Sequence, residues 1–262
     1  MKAGIMSKLI CSIGIITMCW VTTTKVMASD VVEMALVNGF LPESGVFIKR
    51  QLPKKWNGQE RKVVYLTFDD GPSKQTEDIL SILNDYGVKA TFFFIGTNVN
   101  RYPEEVKLVH QQGHYVGLHS VSHDKKLIYN PEKPYAFAEE LIEEQGLIEA
   151  LIHVRPTLVR PPYGSVPGIK PMIADALVDH GFKVWDWTID SEDWKKKSAS
   201  AIVEQIKSQT TSATEVVLVH EKALTVEALP QIIEHFLQEG YEFRAYNPEQ
   251  HFMLNFLKDS RL

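Results

Sequence analysis

Val63-Val64-Tyr65-Leu66-Thr67-Phe68-Asp69-Asp70-Gly71-Pro72-Ser73 decides how this chain is read. An apolar, strand-forming run ends in two adjacent carboxylates, and a Gly-Pro turn follows. In α/β folds, reactive groups gather where strands end. Neighbouring aspartates at such a tip can divide labour, one holding a metal and the other taking a proton. Taken alone, Asp-Gly-Pro is ordinary turn chemistry, and Ser73 can simply cap a following helix.

Outward from this stretch, strand and helix patterns alternate. Strands are predicted at 63–68, 90–95, 115–118, 157–160, 183–187, 215–219 and 242–245. Helices are predicted at 76–86, 103–112, 133–153, 168–180, 199–208 and 226–239, the third with its glutamates on the outer side. Near-continuous apolar strands separated by amphipathic helices predict a parallel sheet covered by helices. Some seven repeats suit a closed or nearly closed (β/α) barrel better than a small open sheet.

The N-terminus carries a processing segment. Lys2 and Lys8 precede an uncharged, mostly apolar run from Leu9 to Thr24, and Val26-Met27-Ala28 offers small residues for cleavage. The expected boundaries are a signal peptide over 1–28, an extended segment over 29–61 and a catalytic domain over 62–262. An uncleaved anchor is the alternative. A lipoprotein is disfavoured, since neither Cys11 nor Cys19 follows a small residue. Those are the only cysteines, so cleavage would leave no disulfide and no thiolate metal site. It would also remove three lysines and no acid, taking the net charge from −5 to −8. No Lys/Arg cluster of the kind nucleic-acid binding needs is present.

Four further features sit at predicted strand ends. His119-Ser120-Val121-Ser122-His123 places two imidazoles on one face if the segment takes a helical turn. Two imidazoles and one carboxylate, naturally Asp70, make a metal site with positions left open. Arg160-Pro161-Pro162-Tyr163-Gly164 is a stiffened loop whose arginine can pair with a carboxylate. Trp185-Asp186-Trp187 through Asp193-Trp194 combines indoles and acids as a sugar groove would, with Trp185 better explained as core. Val219-His220 puts an imidazole where an apolar strand stops, either as a structural group or as a general acid. The remaining histidines, His110, His114, His153, His180, His235 and His251, read as structural or surface groups. The apolar patch of the C-terminal tail, Phe252 to Leu257, reads as packing against the barrel.

In this order and spacing the five motifs resemble the polysaccharide deacetylases of carbohydrate esterase family 4, the nodulation-protein-B homology domain, over roughly Lys62 to Tyr246. The resemblance implies a distorted (β/α) barrel with about seven strands. It also implies a metal-dependent hydrolase that removes N-acetyl groups from a polysaccharide. By the same resemblance Asp69 is the base, and Asp70, His119 and His123 hold a divalent ion, zinc first and cobalt or another ion as alternatives. Arg160 orients the base, and the Tyr163 N–H stabilises the oxyanion. Asp193 tunes His220, the acid, while Trp194 is the hydrophobic neighbour and Leu218 lines the acetyl pocket. Asp124 stands where the family often has proline, which bears on the loop and on charge near the metal. The expected substrate is peptidoglycan GlcNAc at the cell wall, with no protein partner. Chitooligosaccharide and acetylxylan are the enzymatic alternatives. A non-catalytic glycan-binding module and a metal phosphoesterase are the other classes; the first has no need of a base and an acid together, and the second lacks a phosphate loop.

Overall fold

The computed structural model describes residues 55–56, 59–60 and 61–262. The expected leader, both cysteines and nearly all of the 29–61 segment lie outside the described residues. Two short strands, β1 (Lys55–Trp56) and β2 (Gln59–Glu60), pair antiparallel. The main sheet begins with β3 (Lys62–Gly71) and continues with β4 (Thr91–Phe94), β5 (Tyr115–Leu118), β6 (Leu158–Val159), β7 (Lys183–Val184), β8 (Ile189–Asp190), β9 (Thr214–His220) and β10 (Tyr241–Phe243). Its strand order is β7-β6-β5-β4-β3-β9-β8, every pairing is parallel, and β10 adds to the start of β3. This is a curled, incompletely closed (β/α) barrel.

The helices are α1 (Thr76–Asp85), α2 (Gly96–Arg101), α3 (Pro103–Gln111), α4 (Lys125–Ile128), α5 (Ala136–Ile152), α6 (Pro171–Asp179), α7 (Ala199–Gln209) and α8 (Ala223–Gln238). Helix α6 starts three residues later than the 168–180 reading, with Pro171 in its first turn, where its missing N–H costs nothing. Ser73 is not the cap of α1, whose N-cap is Gln75; the Ser73 hydroxyl instead accepts the Gln75 N–H at 3.1 Å.

Alternation along the strands separates two buried layers. Val64, Leu66 and Phe68 of β3 pack outward on the helices with Phe92, Phe94, Val217 and Val219. Tyr65 faces the barrel interior with Phe93, Leu158, Trp185 and Val216. Truncating one such fully buried phenylalanine to alanine typically costs about 3–5 kcal/mol. Gly117 of β5 lies on the interior side, where a Cβ would come within 2.8 Å of the Phe93 ring. Its bare backbone makes room for that ring.

The two ends of the sheet, β7 and β8, are consecutive in sequence but do not pair. The predicted strand at 183–187 stops early because its second half meets the C-terminal tail instead. Trp185 bridges to Leu254, the Asp186 N–H donates to the Leu254 carbonyl at 2.7 Å, and the Trp185 indole N–H donates to the Phe252 carbonyl at 2.9 Å. The tail therefore fills the seam of the barrel.

Candidate active site

The parallel strands bring the sequence features to one edge of the sheet. On β3 the interior face carries Tyr65, Thr67 and Asp69, and on β9 it carries Val216, Leu218 and His220. These are register partners one to one: Tyr65 with Val216, Thr67 with Leu218, and Asp69 with His220. Simple alternation would send Asp70 to the other face. A register shift between Asp69 and Gly71 prevents this, and Asp70 takes a left-handed φ of 68°. Aspartate tolerates that conformation better than most residues, and the bulge re-aims its side chain. The Asn98 side-chain amide holds the Asp70 carbonyl at 2.9 Å.

Asp69 is buried beside a fully buried Arg160, Oδ1 to Nη1 at 3.0 Å. The guanidinium lies 4.3 Å above the Phe93 ring. Its Nε donates to the Trp185 carbonyl at 3.1 Å and its Nη2 to the Asp186 carbonyl at 3.0 Å. Its Nη1 also donates to the Thr67 hydroxyl, which in turn donates to the Val217 carbonyl. Arg160 is thus fixed on every side, and Asp69 takes its orientation from it.

Asp70, His119 and His123 converge. Asp70 Oδ1 lies 3.4 Å from His119 Nε2 and 3.5 Å from His123 Nε2. His119 Nδ1 is 2.6 Å from the Arg160 carbonyl, which can only accept, so Nδ1 carries the proton. In neutral His119 the Nε2 lone pair then faces Asp70 Oδ1, a buried oxygen with no hydrogen-bond partner. Lone pairs pointed at one another across a buried gap are the arrangement a cation relieves, so this donor set fits a divalent metal. Burial opposes charge on Asp70, but the surrounding His119, His220 and His123 outweigh it and hold the carboxyl well below the usual range. Burial, and then the neighbouring His119, lower the His123 pKa, favouring its neutral form.

The loop carrying the two histidines is not a helical turn, as the spacing allowed. Ser120 and His123 both have left-handed φ, 71° and 55°, and the Ser120 hydroxyl accepts the His123 N–H at 2.9 Å. Two carboxylates of α5 hold this loop from behind. Glu144 accepts the His119 N–H at 3.1 and 3.2 Å, and Glu140 accepts the Ser122 N–H at 2.9 Å and its hydroxyl at 2.7 Å. Both are buried, which corrects the reading of that helix as having its glutamates outside. Burial raises the Glu144 pKa well above the usual carboxylate range. The i, i+4 spacing beside apolar residues was the available signal.

His220 Nδ1 is 2.6 Å from Asp193 Oδ1, and Asp193 Oδ2 also accepts the His220 N–H and the Thr225 hydroxyl, each at 2.7 Å. Burial works against charge on His220, but the hydrogen bond to Asp193 and its charge outweigh it and raise the pKa above 6.5. Glu221, the next residue, turns the other way. It accepts the Ser73 hydroxyl at 2.7 Å and the Thr76 hydroxyl at 2.6 Å, behind the turn that follows Asp70.

Tyr163 has a left-handed φ of 66° and is 56% exposed. Its hydroxyl lies 3.1 Å from His123 Nδ1, and among the described residues no acceptor takes its N–H. Trp194 is 59% exposed, Leu218 is buried, and Trp185 is core. Asp124 caps α4 by accepting the Lys126 N–H at 2.8 Å. Sequence reasoning missed Glu140, Glu144, Asp186 and Glu221 as supports of this site.

The chain is similar to known proteins along most of its length. The polysaccharide deacetylase family profile matches residues 57–185. A peptidoglycan-N-acetylglucosamine deacetylase of Bacillus cereus is 43% identical over 224 residues, covering 83% of this chain and 81% of that protein. The peptidoglycan-N-acetylmuramic acid deacetylase PdaC of Bacillus subtilis is 34% identical over 184 residues, which is 70% of this chain but only 37% of that longer protein. Among solved structures, a Bacillus cereus polysaccharide deacetylase aligns with a TM-score of 0.74 at 44% identity, covering 77% of this chain and all of that one.

Proposed function

Because this chain belongs to the polysaccharide deacetylase family, we propose that it removes the N-acetyl group from N-acetylglucosamine in peptidoglycan, releasing acetate. The observation that carries this reading is the convergence of Asp69, Arg160, Asp193 and His220 on the edge that also holds Asp70, His119 and His123. The glucosamine target rests on the name of the Bacillus cereus relative, and the PdaC relative makes N-acetylmuramic acid the competing target.

Asp70, His119 and His123 would hold the metal, most simply Zn2+. A divalent cation there supplies Lewis acidity toward a carbonyl and lowers the pKa of a water. The chain's own groups account for the rest. Asp69, aimed by Arg160, takes the proton of the attacking water. The Tyr163 N–H donates to the oxyanion that develops on the acetamide, a contribution of about 3 kcal/mol for such donors. His220, protonated and paired with Asp193, gives its proton to the departing sugar nitrogen. Leu218 lines the acetyl pocket and Trp194 shields His220. No side-chain nucleophile is needed.

Incubating the zinc-loaded protein with peptidoglycan, chitooligosaccharides and acetylxylan, and measuring acetate and product masses, tests the substrate. Loss of acetyl from GlcNAc of peptidoglycan is expected; turnover of acetylxylan alone would overturn it. Export is proposed on the N-terminal pattern, with cleavage after Ala28 and residence at the wall. The mass of the protein recovered from the culture medium or wall checks it.

A further inference from the structure

The loops after three motif-bearing strands, and the loop after β8, each carry lysine. Lys74 follows the Asp69–Ser73 turn, Lys125 and Lys126 follow His123, Lys195 to Lys197 follow Trp194, and Lys222 follows His220. Because all main-sheet strands are parallel, these loops share one edge of the sheet, that of the candidate active site. Against these seven lysines, three acids outside the catalytic and buried set lie at this edge, Asp124, Asp190 and Glu192. Asp124 is engaged in capping α4, and Glu192 is shared between Lys195 at 2.8 Å and Lys196 at 3.1 Å. Lys74, Lys126, Lys197 and Lys222 have no ion-pair partner among the described residues. Asp69 and Asp193 are buried and paired with Arg160 and His220, so the exposed rim of this edge is set mainly by its lysines.

The ring also has an aromatic component. Lys125 Nζ lies 5.3 Å from the centre of the Tyr163 ring, and Lys195 Nζ lies 5.2 Å from that of Trp194. Tyr163 touches the metal-ligand candidate His123, and Trp194 follows Asp193, the partner of His220. Two exposed aromatic surfaces, each with an ammonium beside it, therefore flank the site. An aromatic face takes the apolar face of a pyranose, and the adjacent cation suits a carboxylate on the same or the next residue of the glycan. A neutral glycan offers these lysines hydroxyl and amide oxygens but no charge.

We propose that this lysine ring recognises the carboxylates of the stem peptides carried by the glycan strand, so that the enzyme is selective for peptide-bearing, anionic glycan over neutral glycan. The proposal rests on the deacetylase reading above and adds the substrate's charge to it. The same field acts on the product. Hydrolysis turns a neutral acetamide into a basic amine that can take up a proton, so the ring attracts unreacted anionic substrate and disfavours rebinding of extensively deacetylated, protonated strands.

The test uses the zinc-loaded full chain with glycan fragments of equal length: one carrying stem peptides, one stripped of them by an amidase, which leaves a lactyl carboxylate on each muramic acid and should fall between the other two, and a chitooligosaccharide. Surface attraction is screened as the Debye length falls to about 10 Å at 0.1 M salt. Between about 20 and 200 mM salt, kcat/KM on the peptide-bearing fragment should fall roughly tenfold while that on chitooligosaccharide stays flat. A Lys126→Gln/Lys197→Gln/Lys222→Gln variant should lose about tenfold on the peptide-bearing fragment at low salt and leave turnover of chitooligosaccharide unchanged. Equal salt dependence for all substrates, or an equal loss on all of them in the variant, would overturn the proposal. Binding of the same fragments to Asp69→Asn by calorimetry separates the two readings. Salt-sensitive preference for the peptide-bearing fragment, without acetate release by the wild type, would keep the ring and sink the deacetylase; acetate release with no such preference would do the reverse.

Discussion

Asp69 and His220 are register partners on adjacent parallel strands, β3 and β9. Residues so paired point to the same face of a sheet, so the proposed base and acid stand side by side without any loop having to place them. Each is then held by its own partner, Asp69 by Arg160 at 3.0 Å and His220 by Asp193 at 2.6 Å. The proposed proton acceptor and donor are thereby fixed by the sheet, and the metal-ligand candidates are arranged around them by a bulge and a tight loop.

The Asp193–His220 pair predicts a pH effect. Asp193 raises the His220 pKa against the lowering effect of burial. His220 must be protonated to donate, so activity falls as pH rises through that pKa. Asp193→Asn removes the raising influence, and the alkaline limb of the kcat profile should move to lower pH. A profile measured for both proteins checks this; an unmoved limb would mean that another group titrates there.

Glu144 predicts a metal effect. It is fully buried and accepts the His119 N–H with both oxygens. Glu144→Ala frees the histidine loop and should weaken zinc binding by about tenfold, in the range seen for groups that orient ligands. Competition with a chelating dye measures this without reference to activity. Stripping the metal with chelator should abolish turnover, and added zinc should restore it.

Glu221 predicts a stability effect. Burial pushes its pKa up to about 7 from a usual 4.5. The folded state therefore binds this proton more tightly than the unfolded chain. The stabilisation is fully present below about pH 4.5 and is lost as pH rises through 7, by about 3 kcal/mol for this group. Glu221→Gln keeps an acceptor for Ser73 and Thr76 without a charge, and should be more stable than the wild type at pH 8. Urea unfolding at pH 4.5 and pH 8 compares them; an identical pH dependence would refute the assignment.

The seam predicts a linked loss. Asp186 is fully buried, and its carboxylate accepts the Ser165 N–H at 2.9 Å, the Ser165 hydroxyl at 2.5 Å and the Phe256 N–H at 2.6 Å, while its carbonyl holds Arg160. Asp186→Ala strands those donors, at about 1–3 kcal/mol for each one left buried without a partner. Thermal stability and kcat should both fall, with KM little changed, because the variant keeps the backbone carbonyl that accepts from Arg160 but loses the side-chain bonds that fix that segment. A change confined to KM would contradict this.

How far the sequence discloses this structure varies by element. The barrel was legible from the alternation of apolar strands and amphipathic helices, because both periods are local. Asp69, Asp70, His119, Arg160 and His220 were legible as candidates because each sits where an apolar strand run ends, and His123 by its spacing from His119. The bulge that brings Asp70 round to the side of Asp69 was not, since it arises from pairing with β4. Glu140 and Glu144 were hidden among the exposed glutamates of α5, because the loop they hold lies some twenty residues upstream. Asp186 was hidden for the same reason: its partners, Ser165 and Phe256, come from distant segments that meet only when the tail fills the seam.

The central claim is that Asp69 and His220 act as a base and acid pair on an acetamide. The most direct measurement is acetate release from peptidoglycan by zinc-loaded wild type, Asp69→Asn and His220→Ala, with zinc content and circular dichroism recorded for each. Both variants should bind zinc, keep the fold and lose activity by about 10²–10⁴-fold. Wild-type acetate release by either folded, zinc-bound variant would contradict the account.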